Sequence, residues 1–314
     1  MKVALIGYGY WGKKIYKYLH ELAQFDLRYV YFPSLAFMDA EEIHAKYAAN
    51  FIPSLDLIWE DQSVGSVIIA SPISTHYTVT KAALENGKNV LVEKPLCMSS
   101  DEAGELQRLA KNTNKKLMTE YTYTFSKALL KARELVLANT IGDLRGVEIS
   151  IKQLGRFLNY DIFTLLGTHA LSILSLFTQL SACHFQVKKL LDTDGLVTGG
   201  IISFCSQDGS FSGFTNVTSH CPRREKKVIL YGERGTIIYN PDIEETIECV
   251  IYNRAKALQA NQLIENRDIF HFDEGHNLKN ALISFEELIE KGGEDNLDNS
   301  VQITRIIESL SQEV

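Results

Sequence analysis

Several features are scarce or missing in this 314-residue chain, and each absence removes a class of protein. Cysteine is sparse. The five residues, Cys97, Cys183, Cys205, Cys221 and Cys249, form no C-x-x-C pair. No zinc-site spacing is present, and an odd number of scattered thiols points to reduced cysteines in a cytoplasmic protein. No apolar stretch approaches the length of a membrane span. The opening "MKVALIGYGYWGKK" holds an apolar run too short for a signal peptide and broken by glycines. Positive charge is also thin. The formal net charge is -7, and the densest basic cluster, Arg223, Arg224, Lys226 and Lys227, is interrupted by Glu225. This excludes nucleic acid as the main partner and reads as a solvated hairpin or interface patch. There is no proline-rich linker, internal repeat or low-complexity segment. What is left is ordinary for a globular protein, 45% hydrophobic and 23% charged, in a chain longer than one core usually supports. Two domains are expected.

Up to about residue 120, strand-like and helix-like segments alternate. "KVALIG", "DLRYVYF", "SVIIASP", "NVLVEKP" and "KLMTEY" read as strands. Between them, Ile15, Leu19 and Leu22 recur at helical spacing, and "EEIHAKYAANF", "HYTVTKAALENGK" and "SSDEAGELQRLAKNTN" read as helices. Gly87 suits a C-cap, and Ser100 opens a helix with acids in its first turn. Alternation of this kind implies parallel strands with crossover helices, hence a doubly wound α/β sheet over residues 1–120. Beyond residue 121 the pattern changes. Helical "SKALLKARELVLA" leads to the strand "GDLRGVEISIKQL" and the apolar helix "THALSILSLFTQL". Runs at hairpin spacing follow, from "HFQVKKLL" to "TIECVIYN", then two closing helices. An open, mostly antiparallel sheet with helices on one face is expected for residues 121–314.

Gly7, Gly9 and Gly12 form G-x-G-x-x-G directly after the first strand and at the start of the first helix, the context in which this pattern binds a dinucleotide. Gly7 permits the tight turn, Gly9 lets backbone approach a pyrophosphate, and Gly12 allows close helix–strand packing. The helix N-terminus, including Tyr10 and Trp11, offers N–H groups to an anion. Lys13 and Lys14 oppose the helix dipole unless an anion binds there; the alternative is a pair of solvated surface lysines. About twenty residues on, where an acid meets the ribose in NAD sites, the chain has Phe32 in "YVYFPSL", with Ser34 the only polar side chain nearby. The cofactor is therefore NAD or NADP, undivided by the sequence. In "NVLVEKPL" a strand ends on Glu93, Lys94 and Pro95. Charges at the carboxyl end of a parallel strand face the crevice where ligands bind.

These features, with "SPISTHYTVTKAALENGKNVLVEKPL" and "LGRFLNYDIFTLLGTHALSIL", resemble the glucose-fructose oxidoreductase / inositol dehydrogenase / MocA (Gfo/Idh/MocA) family over nearly the whole chain. The resemblance implies a Rossmann domain, a substrate-binding domain whose open sheet makes homodimer or homotetramer contacts, and NAD(P)-dependent oxidation or reduction of a sugar-like substrate. By it, Lys94 would stabilise the developing alkoxide and His169 would move the substrate proton. Glu93 and Pro95 would fix the lysine backbone, and Ser71, Pro72 and His76 would lie along the cofactor. Tyr123, Arg156, Tyr160, Asp161 and Thr168 are the candidate substrate contacts.

The chain departs from the family pattern beside the histidine. Leu165 stands four residues before His169, where an aspartate commonly assists it, and Ala170 follows it. A carboxylate there would raise the basicity of the imidazole and fix its tautomer. Asp161, Tyr160, Tyr121 or Tyr123 could substitute. Two further readings stay open: a non-catalytic dinucleotide-binding regulator or scaffold, and a cofactor-assisted glycoside hydrolase of the same fold. No metal is expected.

Overall fold

The computed structural model describes residues 1–34, 50–155, 160–241, 245–252, 264–273 and 276–312. By internal packing the chain divides into two units. The first is Met1–Glu120 with Leu278–Thr304, and the second is Tyr121–Asn277 with Arg305–Val314.

The first unit contains a six-stranded parallel sheet: β1 (Lys2–Ile6), β2 (Asp26–Tyr31), β3 (Phe51–Ile52), β4 (Ser66–Ile69), β5 (Asn89–Glu93) and β6 (Leu117–Glu120). Their order, β3-β2-β1-β4-β5-β6, is that of doubly wound dinucleotide-binding sheets. The direction of winding reverses between β1 and β4, so the loops leaving those two strands flank a crevice at the carboxyl edge. Helices α1 (Tyr10–Glu21), α2 (Asp56–Glu60), α3 (His76–Glu85) and α4 (Ser100–Thr113) connect the strands. The strands carry continuous apolar runs because both faces are covered; Ala4, Ile6, Val67, Ile69, Val90 and Val92 are among those packed in one core cluster. Gly87 ends α3 at φ +70°, as a glycine C-cap should. The cap of α4 is Ser99, which accepts from the Glu102 N–H at 3.3 Å; Ser100 is the first helical residue. Most of the helix expected over residues 41–51 lies outside the described residues, and its last residue, Phe51, is in β3.

Edge strand β6 meets the returning C-terminal segment. The Asn296 side chain accepts from the Thr119 N–H at 2.9 Å and donates to the Thr119 carbonyl at 2.7 Å, as a neighbouring strand would. Lys116 donates to Gly293 O at 2.7 Å beside it. Helix α7 (Asn277–Lys291) precedes this contact and α8 (Leu297–Gln312) follows it; Leu297 and Val301 join the core of the first unit.

The second unit is built on an eight-stranded sheet: β7 (Leu144–Leu154), β8 (Cys183–Leu191), β9 (Val197–Ser206), β10 (Ser212–Thr218), β11 (His220–Gly232), β12 (Gly235–Tyr239), β13 (Thr246–Tyr252) and β14 (Ile264–His271). Its order is β14-β13-β12-β11-β7-β10-β9-β8, with only β10 and β7 parallel. The strand β14 has no counterpart in the sequence reading: "IENRDIFH" is exposed along most of its length and carries charge on both sides. Helix α5 (Lys127–Leu137) and the short helix α6 (Thr168–Leu174) belong to this unit. The apolar helix expected over residues 168–180 starts at Thr168 but stops at Leu174, and a π-helical turn, Phe163–Gly167, precedes it. None of the five cysteines forms a disulfide. No helix among the described residues is long and apolar enough to cross a membrane.

Replacing Asn296 by alanine removes both bonds to Thr119 and leaves a buried edge unsatisfied. The expected loss is about 1–3 kcal/mol of stability, seen as a fall of a few degrees in the thermal unfolding midpoint. An unchanged melting curve would show that the contact contributes nothing.

Candidate functional site

The turn after β1 is defined by what cannot fit in it. Gly7 has φ +103°, and a Cβ there would lie 2.5 Å from the Ala70 carbonyl oxygen at the end of β4. A Cβ on Gly12 would lie 2.2 Å from the Gly7 carbonyl oxygen. Gly9 is different: a Cβ built on it meets nothing within 4 Å. Gly7 and Gly12 are thus demanded by packing, while Gly9 keeps an open cradle at the helix start. Helix α1 has no side-chain N-cap and no acid in its first turn. Its N-terminal N–H groups and positive dipole end suit an anion. Lys14 lies beside this end with its Nζ 4.4 Å from the ring centroids of both Tyr10 and Trp11. Those rings are 56% and 42% exposed, an unusual display for large aromatics, so the lysine is held in place at the surface rather than simply solvated. These residues fit the pyrophosphate of a dinucleotide. Tyr8, which the sequence reading passed over, packs edge-on against Phe32, Tyr16 and Phe51 and so anchors the turn to β2 and β3. Ser34 is exposed just beyond Phe32.

A second group of residues is tied together by His76. Its Nδ1 lies 2.7 Å from the Pro95 carbonyl oxygen and its Nε2 3.0 Å from the Ser71 carbonyl oxygen. A neutral ring donates only one of these bonds; the cation would donate both. Burial pushes the His76 pKa down, the two carbonyls push it up, and nearby Lys94 pushes it down. His76, at 1% exposure, therefore braces the loop after β4 against the Lys94–Pro95 turn after β5. Ser71 also shares a hydroxyl bond with Thr75 at 2.7 Å. Since the Ala70–Ser71 backbone also touches Gly7, the carboxyl ends of β1, β4 and β5 form one contiguous rim. Pro72 is the residue before the short 3-10 turn on that rim.

The acid of "EKP" does not face open solvent. Glu93 is 8% exposed and pairs in register with Glu120, which is 2% exposed, on β6. Burial, then the Glu120 charge, pushes the Glu93 carboxyl well above its usual range, with Lys94 opposing. Lys94 itself is half-buried. Burial pulls its ammonium pKa down, and Glu93 and Glu120 push it up. Two buried carboxyls and one lysine at adjacent strand ends cannot all be charged without cost, so a proton is held readily there. The expectation that both charges face a crevice is corrected for Glu93, which belongs to the interior. Glu120 was missed because a lone acid at the end of "KLMTE" carries no motif.

In the second unit, His169 is half-buried on α6 just after the π-helical turn, an irregularity frequent at functional positions. Its ring meets Tyr123 edge-to-face, with centroids 5.0 Å apart. Asp161 spends one carboxylate oxygen on the Phe163 N–H at 2.7 Å, and burial raises its pKa. Thr168 is 1% exposed, and its hydroxyl donates to the Thr164 carbonyl at 3.0 Å. Tyr160 lies in a bend before the turn, and Arg156 lies outside the described residues. No group of metal-ligating side chains occurs among the described residues.

Comparison with known proteins bears on this arrangement. Residues 1–121 match the model of an oxidoreductase family with an NAD-binding Rossmann fold, GFO_IDH_MocA. An uncharacterized oxidoreductase of Streptococcus pneumoniae is 31% identical over 144 residues, 46% of this chain and 38% of that protein. A dTDP-3,4-didehydro-2,6-dideoxy-alpha-D-glucose 3-reductase of Streptomyces violaceoruber is 33% identical over 99 residues, 32% of this chain and 29% of that protein. The chain thus spans well under half the length of these curated relatives. A solved 3-ketoreductase of Actinomadura kijaniata, in complex with NADP and TDP-benzene, superposes with a TM-score of 0.82 at 14% identity, covering 99% of this chain and 97% of that one. That likeness shows a shared fold along both units. The family match is thus confined to residues 1–121, which resemble the NAD-binding Rossmann segment of GFO_IDH_MocA oxidoreductases.

Proposed function

We propose that the protein is an NAD(P)-dependent oxidoreductase acting on a hydroxyl- or carbonyl-bearing carbon of a nucleotide-linked sugar. The observation that carries the reading is the turn after β1, where Gly9 leaves open backbone at an uncapped, acid-free helix start flanked by Lys14. The first unit would hold the dinucleotide through Gly7, Gly9, Tyr10, Trp11 and Gly12, with Phe32 and Ser34 toward the ribose and Ser71, Pro72 and Pro95 on the rim. The bound cofactor supplies hydride transfer. Lys94, whose ammonium pKa burial pulls down against the opposing pull of Glu93 and Glu120, stabilises negative charge on the substrate oxygen as the carbon changes oxidation state. Glu93 and His76 hold that lysine and its turn. In the second unit His169 carries the proton, with Tyr123, Tyr160, Asp161 and Arg156 as substrate contacts. The hydroxyl of Thr168 serves the turn itself. A nucleotide sugar is supported by the dTDP-sugar named for the Streptomyces reductase and the TDP compound held by the Actinomadura enzyme. Neither an acid nor an arginine follows β2 in the described residues, so the choice between NAD and NADP belongs to the assay.

The sheet of the second unit is the proposed self-association surface. Its outer face exposes Ile201, Phe214 and Tyr231, at 44%, 40% and 41%, and register places them on one side.

Three outcomes are expected. Gly9→Ala folds with an unchanged melting curve but binds NADH and NADPH more weakly by fluorescence titration, whereas Gly12→Ala loses stability. Equal cofactor affinity in wild type and Gly9→Ala would sink the phosphate reading. Lys94→Ala retains cofactor binding and lowers kcat with the best of a panel of nucleotide sugars by about 100- to 1,000-fold. Tight cofactor binding with no turnover on any sugar would select a regulator, and net glycoside hydrolysis without cofactor consumption would select a hydrolase. Phe214→Glu reduces the molar mass measured by light scattering toward that of the monomer; an unchanged mass would place the contacts elsewhere.

A further inference from the structure

Lys226 stands apart from the basic cluster it belongs to in sequence. On β11, Glu225 is in register with Lys152, Lys226 with Ile151 and Lys227 with Ser150. Successive strand residues face opposite sides. Glu225 bonds Lys152 at 3.0 Å and accepts from Ser150, on the outer face. Lys226 instead shares the inner face with Val228, Ile149 and Ile151, which are all buried. There its Nζ lies 4.8 Å from the Tyr123 ring centroid. Tyr123 in turn packs edge-to-face on His169, at 5.0 Å and 81° between planes. A lysine, a tyrosine and a histidine thus form a continuous stack from β11, through the 3-10 turn Thr122–Phe125, to α6.

The position that makes this informative is Leu165. The residue four before His169 has no carboxylate, and Asp161 is engaged with the Phe163 N–H. We propose that Tyr123 and Lys226 are positioning residues for His169: Lys226 pins the Tyr123 ring, Tyr123 fixes the imidazole plane, and the charge that this stack itself brings toward the histidine is a cation. This rests on the reading of His169 as the proton carrier. A carboxylate beside a histidine raises its pKa; a cation lowers it. A histidine so held stays neutral, and able to accept a proton from a hydroxyl, at lower pH than a carboxylate-paired one. Among the described residues of the same unit, a group of hydroxyls and a carboxylate lies near the stack. Tyr239 on β12 donates to Glu245 at 3.0 Å, and Ser126 donates to the same Glu245 oxygen at 3.1 Å. The inner faces of β7 and β10 present Ile149, Ile151, Thr215 and Val217, which carry no charge. The two ring distances bound the separation of Lys226 Nζ from the His169 ring at no more than about 10 Å. At that range a unit charge moves a pKa by about 0.3–1 unit, depending on the effective dielectric.

The test follows His169 by proton NMR titration, its resonance assigned by its loss in His169→Gln, with the pH profile of kcat measured alongside. In Lys226→Met the midpoint is expected to rise by about 0.3–1 unit, and in Lys226→Glu by about twice as much. Tyr123→Phe keeps the ring and a single sharp resonance; Tyr123→Leu broadens or splits it as the imidazole loses its fixed orientation. Circular dichroism confirms that each variant is folded. An unmoved midpoint in both Lys226 variants, or a Tyr123→Leu spectrum like that of wild type, overturns the proposal. A shifted midpoint with an unchanged pH profile of kcat upholds the stack and refutes His169 as the proton carrier, so the two readings fail separately.

Discussion

The contact on which the first unit depends is the close approach of Gly12 to the Gly7 carbonyl, and of Gly7 to the Ala70 backbone. A Cβ at either position would sit within 2.5 Å of a backbone oxygen, and backbone cannot step aside as a side chain can. Helix α1 is thereby held against the ends of β1 and β4. That proximity brings the first turn of the helix to the point where strand order reverses. The open space at Gly9 is a product of the same geometry, since the backbone around it is already committed. Open backbone and a packing constraint therefore occupy one hexapeptide, and of its three glycines only the middle one is free of close contacts to a built Cβ.

Around this rim, hydrogen bonds to backbone do the bracing. His76 joins the loop after β4 to the turn after β5, and Asn296 closes the outer edge of β6 as a strand would. Each uses a polar side chain in place of a length of secondary structure. Such contacts are directional, so they hold the segments they join in a defined alignment. The charged residues at the rim gain from this rigidity. Lys94 and the two glutamates are held close enough that burial and mutual repulsion compete. Their protonation is then set by the group as a whole and not by any one side chain.

The candidate groups of the two units are placed by different routes. In the first, the groups sit at strand ends, where parallel topology collects them at one edge. In the second, His169 follows a π-helical turn packed through Gly167, where a Cβ would meet Phe163 and Ile307 at 3.2 Å. Its neighbours come from a turn and from a strand far away in sequence. Local pattern could name the histidine, but not the tyrosine and lysine behind it.

How much was legible from sequence follows from that difference. Strand and helix alternation, the glycine turn, the "EKP" strand end and the change to an antiparallel sheet are local signals, written in period and in residues with special backbone freedom. They determined both sheets apart from two strands: β3, a two-residue strand whose Phe51 reads as the end of a helix, and β14, whose exposed and charged sequence lacks the alternation that marks a half-buried strand. Tertiary structure alone decided the rest. It returned residues 278–304 to the first unit, buried Glu93 against Glu120, and made His76 a brace. It also turned Lys226 inward while Glu225 and Lys227 face out. The facings of Glu93 and Lys226 depend on which strand lies beside which and in what register, and a shift of one residue would reverse them. That is a property of the assembled sheet, and no stretch of sequence carries it alone.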